Sequence, residues 1–274
     1  MAISGSGTEQ NPYIVDTWSD FEQVNTLAYT ESYVKFASSG SVSLVAMNRD
    51  GYDGLEIFPH VNGNGFNLKN LYLTGSNPVV FHQEVKNLNI LNFCYTGDSD
   101  SIFYFKGSAK NMKFTGISLN CDDTTVFSFD ESCLLWNASL TLISNTPYFA
   151  LMKDGNGGMT YSHMDLSVTA NTSACIAKSN STPTISHCLF TGSITSPTIT
   201  NVLINSSTFE YNVYDLTTSS DTSVSDGGSN IAAASIFNGD KMTVTAPIGV
   251  ITSCSSEQMI DSDYLKQHGF AMAY

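Results

Sequence analysis

The sequence predicts an all-β solenoid, a right-handed parallel β-helix with short capping helices at its two ends, on three observations. The first is a repeat: the apolar anchors Leu73, Phe93, Ile117, Leu140, Leu166, Leu189 and Phe209 follow one another at steps of 20 to 26 residues. That is the length of one β-solenoid coil. The second is alternation. In residues 87–93 (NLNILNF) Leu88, Ile90 and Asn92 share one parity, read as inward, while Asn87, Asn89 and Leu91 share the other. The third is composition: charged residues make up only 13%, with Ser, Thr and Asn in their place, which suits strands and corners better than wet helix faces.

A leucine-rich repeat has a similar period, but no LxxLxLxxN pattern recurs and no helix-forming half is present. Second apolar runs, such as residues 102–105 (IFYF), 126–129 (VFSF) and 148–151 (YFAL), follow turns rich in Gly, Asp, Asn, Ser and Pro. The Asn residues near corners are placed to stack into side-chain amide ladders. Ahead of the coils, residues 17–28 (TWSDFEQVNTLA) carry Trp18, Phe21, Val24 and Leu27 at helical spacing, with Thr17 or Ser19 as cap. This reads as a helix covering the open end of the stack. Residues 217–229 (TTSSDTSVSDGGS) read as a polar loop, residues 231–251 as further strands, and residues 255–265 as one short capped helix. The expected organisation is one domain: a cap over residues 1–30, coils over 31–216, a polar loop over 217–230 and a closing module over 231–274.

The net charge is −14, and Arg49 is the sole arginine among 11 basic residues. That balance repels nucleic acid and anionic membranes, and no Lys/Arg cluster exists to reverse it locally. No stretch is long and apolar enough to span a membrane. The opening MAISGSGTEQ does not read as a signal peptide, which points to synthesis in a cytoplasm without export. The six cysteines form no CxxC pair and read as small buried apolar residues rather than a zinc site.

Two terminal segments resemble known proteins. Residues 5–21 (GSGTEQNPYIVDTWSDF) resemble the opening of many bacterial and phage β-helix proteins, with a Gly-rich turn, Asn-Pro-Tyr, a short strand and a capping helix. Residues 255–270 (SSEQMIDSDYLKQHGF) resemble the closing phrase of the same proteins. The resemblance implies a β-helix of the phage tail and receptor-binding type, or of some surface adhesins, and carries no catalytic residue with it.

Parallel β-helices also host polysaccharide lyases and glycoside hydrolases. A calcium-dependent lyase needs several carboxylates and a basic residue, and the chain offers Asp98, Asp100, Asp122 and Asp123 about one coil apart, with Lys106 and Lys110 nearer than Arg49. A hydrolase needs two carboxylates held in unlike environments. Adjacent aspartates on a turn, both solvated, fit corner geometry better. His163 and His187, 24 residues apart, are expected in one column. The better functional lead is aromatic: Tyr95, Tyr104, Tyr148, Tyr161, Tyr211 and Tyr214 recur near corners, and the first four are the candidate glycan-binding residues.

The expected function is a noncatalytic phage virion component, a tail-associated or host-adsorption protein. Its expected partners are other virion proteins and a host surface glycan or protein receptor, and its expected state is a homotrimer without cofactor or metal. A glycan-degrading β-helix enzyme and a bacterial surface adhesin are the alternatives.

Overall fold

The computed structural model describes residues 3–27, 31–44, 54–74, 79–97, 101–130, 133–153, 157–177, 184–197, 199–200, 208–219, 222–223, 235–245 and 252–267. It is a parallel β-solenoid. Each strand pairs with its counterpart one coil later, so the side chains of successive coils stack in columns. Three columns of strands form its faces. The first contains Leu55–Ile57, Val79–Phe81, Phe103–Phe105, Asp123–Phe129 and the later parts of Ser139–Lys153 and His163–Ala177. The second runs from Tyr13–Val15 and Tyr33–Phe36 through the starts of His60–Thr74 and Val85–Thr96. It continues through Ala109–Lys110, Leu134–Trp136, Gly158–Thr160, Thr184–Ser186 and Thr208–Glu210. The third holds Lys113–Leu119, Leu189–Thr195, Val213–Thr218, Ile236–Asn238 and Thr252–Cys254, with the remaining parts of the long strands.

The coil length is set by one inward column of the second face. Its register runs Val34, Val61, Val85, Ala109, Leu135, Met159, Ile185, at steps of 24 to 27 residues. The period expected from the sequence is therefore close, but its anchors are not all in register. Leu73 is level with Tyr95, Phe93 with Leu71, and Leu166 with Gly192 rather than Leu189. Asn92 is exposed rather than inward. The cause is the backbone: Asn70 and Asn92 have φ of 55°, and a left-handed residue inside a strand interrupts the alternation.

The interior is continuous and aromatic. Phe81 stacks on Phe105 at 4.9 Å and Phe105 on Phe129 at 5.5 Å, while Phe127 packs edge-on against Phe114 at 5.4 Å. All five rings are buried. In the described residues the six cysteines are free thiols, and Cys121, Cys133, Cys188 and Cys254 are buried, as expected of small apolar side chains.

The first helix, α1 (Trp18–Leu27), does not precede the solenoid. It is inserted between the strands Tyr13–Val15 and Tyr33–Phe36, which already pair with each other. Thr17 caps it reciprocally: its hydroxyl accepts from the Asp20 N–H at 3.1 Å, and its own N–H donates to the Asp20 carboxylate at 3.1 Å. Trp18, Phe21 and Val24 are buried, and Phe21 lies on Phe36, which lies on Phe66. The helix thus covers the inward column where the stack begins.

The single C-terminal helix expected over 255–265 is two, α2 (Ser256–Ile260) and α3 (Ser262–Gln267). Asp261 separates them, because its carboxylate accepts the N–H groups of Asp263 and Tyr264 at 2.9 and 3.2 Å and so starts a new helix. Met259 and Leu265 pack with Val213, Ile236 and Cys254 in a cluster of their own. Tyr214 and Leu216 point inward, so Val213 points outward, and the helices cover the flank of the third face. In the segment expected as a polar loop, Thr217, Thr218 and Thr222–Ser223 belong to strands, and residues 224–230 lie outside the described residues.

One buried group makes the later coils pH-sensitive. Cys188 donates to the Ser186 and Met159 carbonyls, and its N–H donates to Asn212 Oδ1 at 3.0 Å. Burial pushes its thiol up to about 12, from an ordinary value of 9.0. Burial also raises the Tyr214 phenol, which stacks on Phe190 at 4.9 Å. A raised folded-state value means that the unfolded chain loses its proton first, so the stabilisation is complete below pH 9.0 and is lost as pH rises towards about 12. The thermal midpoint should therefore fall steadily across that window, and Cys188→Ala should flatten the slope. A pH-independent midpoint between those limits would contradict it.

Candidate functional site

The outer surface of the second face and its corner with the third bring together exposed aromatic, amide and basic groups. The corner is built by one column of left-handed residues: Asn87, Asn111, Asn137, Tyr161, His187 and Tyr211, with φ between 50° and 56°. Such a residue lets Val85 and Leu88, on either side of the bend, both point inward. Asparagine tolerates this conformation because its short amide satisfies nearby polar groups.

The asparagines form the expected ladder. Asn137 Nδ2 donates to Asn111 Oδ1 at 2.8 Å, Asn111 to Asn87 at 3.0 Å, and Asn87 to Asn62 at 3.0 Å. Two shorter ladders run the same way, Asn92 to Asn70 to Ser43 and Asn89 to Asn67. Beyond Asn137 the corner column becomes aromatic. Tyr161 stacks on His187 at 4.7 Å and His187 on Tyr211 at 5.0 Å. Trp136, next to the corner, is 48% exposed, and its ring lies 6.2 Å from that of Tyr161 at 43°. That tilt leaves the indole face uncovered by Tyr161.

Beside this corner, a second outward column reads Lys35, Asn62, Lys86, Lys110, Trp136. Glu84 lies against two of these lysines, at 3.4 Å from both Lys86 and Lys110. Where the column begins, a pocket of about 350 Å³ is lined by Glu9, Tyr33, Lys35, His60, Asn62, Glu84 and Lys86. The Tyr33 and His60 rings stack within it at 4.3 Å and 5°. Burial lowers the His60 pKa, with Glu84 and Glu9 opposing, so the ring is uncharged at neutral pH.

The structure separates the four candidate tyrosines. Tyr95 is fully buried, level with Leu73 and Leu119, and is a core residue; Tyr214 is also buried. Their parity with the neighbouring inward residues Phe93 and Leu216 puts them inside, so neither offers a surface to a sugar. Tyr104 is half-buried on the first face, where its hydroxyl donates to the Asp130 carboxylate and Lys106 lies 5.6 Å from its ring. Tyr148 and Tyr161 are exposed, but Tyr148 lies on the first face, level with Asp123. Only Tyr161 belongs to the corner described above.

Asp122 and Asp123 are exposed, and Asp98 and Asp100 lie outside the described residues. His163 and His187 do not share a column. His163 is level with Leu189 and contacts Thr191 Oγ1 at 3.0 Å, whereas His187 belongs to the corner. The lysine column corrects the reading that no basic cluster exists. Lys86 and Lys110 are 24 residues apart, one coil, and that spacing was the available signal. Comparison with known proteins gives no relative to set beside this geometry: no family model, no curated protein and no solved structure matches the chain.

Proposed function

We propose that this chain is a noncatalytic adsorption component of a phage particle, a rigid rod that holds a host surface glycan along its second face. The observation that carries the reading is the alignment, on one face, of the exposed Trp136 and Tyr161 with Lys110 and the asparagine rungs. Sugars are bound by planar amides and charged groups that take their hydroxyls and by open aromatic faces that take their C–H surfaces. The column supplies both kinds at the strand spacing, about 4.8 Å per rung. A solenoid holds these groups rigidly, so little side-chain order has to be gained on binding. The assignment to a virion, with other virion proteins as partners and a homotrimer as the assembly, draws its support from the resemblance of the two terminal segments to phage β-helix proteins.

The test is binding of the purified chain to surface polysaccharides of candidate hosts, followed by Trp136→Ala. Loss of an aromatic anchor should weaken binding about tenfold or more while the melting temperature holds. Binding unaffected by Trp136→Ala would remove this face from the reading. Release of shortened or unsaturated sugars during incubation would overturn the noncatalytic part and favour a glycan-degrading enzyme.

A further inference from the structure

The asparagine ladder has a direction, and its direction selects a ligand. Each rung donates its Nδ2 hydrogen to the Oδ1 of the rung one coil earlier, from Asn137 through Asn111 and Asn87 to Asn62. The amide dipoles are therefore aligned head to tail, and such chains polarise one another. The donor end is Asn62, whose Oδ1 accepts from Asn87 Nδ2 and from the Asn64 N–H at 3.1 Å. Its own Nδ2 has no acceptor among the described residues.

That donor end opens into the pocket of about 350 Å³, where Lys35 and Lys86 flank Asn62 in the same column, one coil to either side. Two strand spacings put the backbones of the lysines about 10 Å apart, with the free amide between them. Glu84 is shared by Lys86 and Lys110, so it offsets only one of their two charges, and Lys35 has no ion pair among the described residues. An ammonium has three donors, and Lys86 spends one of them on Glu84. One wall of the pocket thus presents donors and positive charge, in a chain whose net charge is −14. The stacked Tyr33–His60 pair lies beside them on the same strands, and Glu9 also lines the pocket as an acceptor for hydroxyl groups.

We propose that this pocket is a subsite for an acidic sugar, with the carboxylate on Lys35, Asn62 Nδ2 and Lys86, and the ring hydroxyls towards Glu9. The proposal rests on the reading of the second face as glycan-binding, and it adds the ligand class. The volume suits one sugar ring.

The probe is methyl glucuronide against methyl glucoside, which share a ring and differ in the carboxylate, titrated into the full chain at low salt with the amide resonances observed by NMR. The expected result is about tenfold or more tighter binding of the glucuronide, with the largest shift at the Asn62 side-chain amide. Lys35→Met should abolish the preference. Asn62→Asp should also abolish it, since the carboxylate still accepts from Asn87 but offers no donor. Melting curves confirm that both variants fold. Equal affinity for the two sugars, a preference that survives Asn62→Asp, or no glucuronide binding at about 50 mM overturns the proposal. If polysaccharide binding that depends on Trp136 persists in any of these cases, the glycan-binding reading of the face stands and only the acidic subsite falls.

Discussion

Phe127→Ala should destabilise the protein by about 3–5 kcal/mol, more than any surface change on the rod. Phe127 is fully buried, and its ring meets those of Phe103, Phe105, Phe114 and Phe129 at centroid distances of 5.9, 6.2, 5.4 and 6.4 Å. These neighbours come from two successive coils, so truncation removes ring contacts to the coil before as well as within its own. The surrounding rings are held by strand pairing on both sides, Phe127 with Phe103 and with Met152, and cannot collapse far into the space. In a solenoid each coil is supported only by its neighbours, so a weak coil in the middle divides the stack. The measurement is urea unfolding followed by circular dichroism. The midpoint should drop, and a transition that splits in two would show the halves separating. A loss below about 1 kcal/mol would mean that the cluster does not tie the coils together.

Asn111→Ala should cost about 2–3 kcal/mol although Asn111 is exposed, where an ordinary surface change costs a few tenths. Two effects add. The side chain is the middle of the ladder, donating to Asn87 at 3.0 Å and accepting from Asn137 at 2.8 Å, and the two bonds are worth about 1 kcal/mol each. Its φ of 53° is a conformation in which alanine is strained by about 1 kcal/mol. Asn111→Gly separates the two, because glycine tolerates the backbone but has no amide. It should recover the backbone part and leave the ladder part. If the glycine and alanine variants melt together, the left-handed backbone contributes nothing; if the glycine variant matches the native chain, the ladder contributes nothing.

These two residues also mark what could be read without coordinates. Asn87 and Asn111 are one coil apart in sequence and one rung apart in space, so the repeat and the ladder were both legible from spacing. The parity of side chains was less so, because a left-handed residue resets it. Leu73 and Phe93 look equivalent by apolarity and both point inward, yet Leu71 is the residue level with Phe93 and Tyr95 the one level with Leu73, because both coils carry the left-handed asparagine, Asn70 and Asn92, at the same rung. The same reset hid the site. Tyr95 and Tyr214 carry a polar tip that suggests surface, but each lies two residues from an inward side chain and is buried with it. The lysine column is hidden in the sequence for another reason. Charge clusters are sought among neighbours in sequence, whereas a solenoid brings together residues a full coil apart, as it does Lys86 and Lys110. The break in the C-terminal helix at Asp261 was decided by one carboxylate bonding forward, an event that helical periodicity does not register.

One corner of the rod makes the same backbone bend with two kinds of residue. In the earlier coils asparagines occupy it, and they suit it. In the later coils Tyr161, His187 and Tyr211 hold φ of 50° to 56°, which bulky side chains adopt at a cost of about 1–2 kcal/mol each. Ring stacking offsets part of that cost, but an asparagine at each position would need no such compensation. The later part of the corner thus trades backbone ease for a stack of flat rings, so this stretch of the edge is apolar and rigid where the earlier coils present amides.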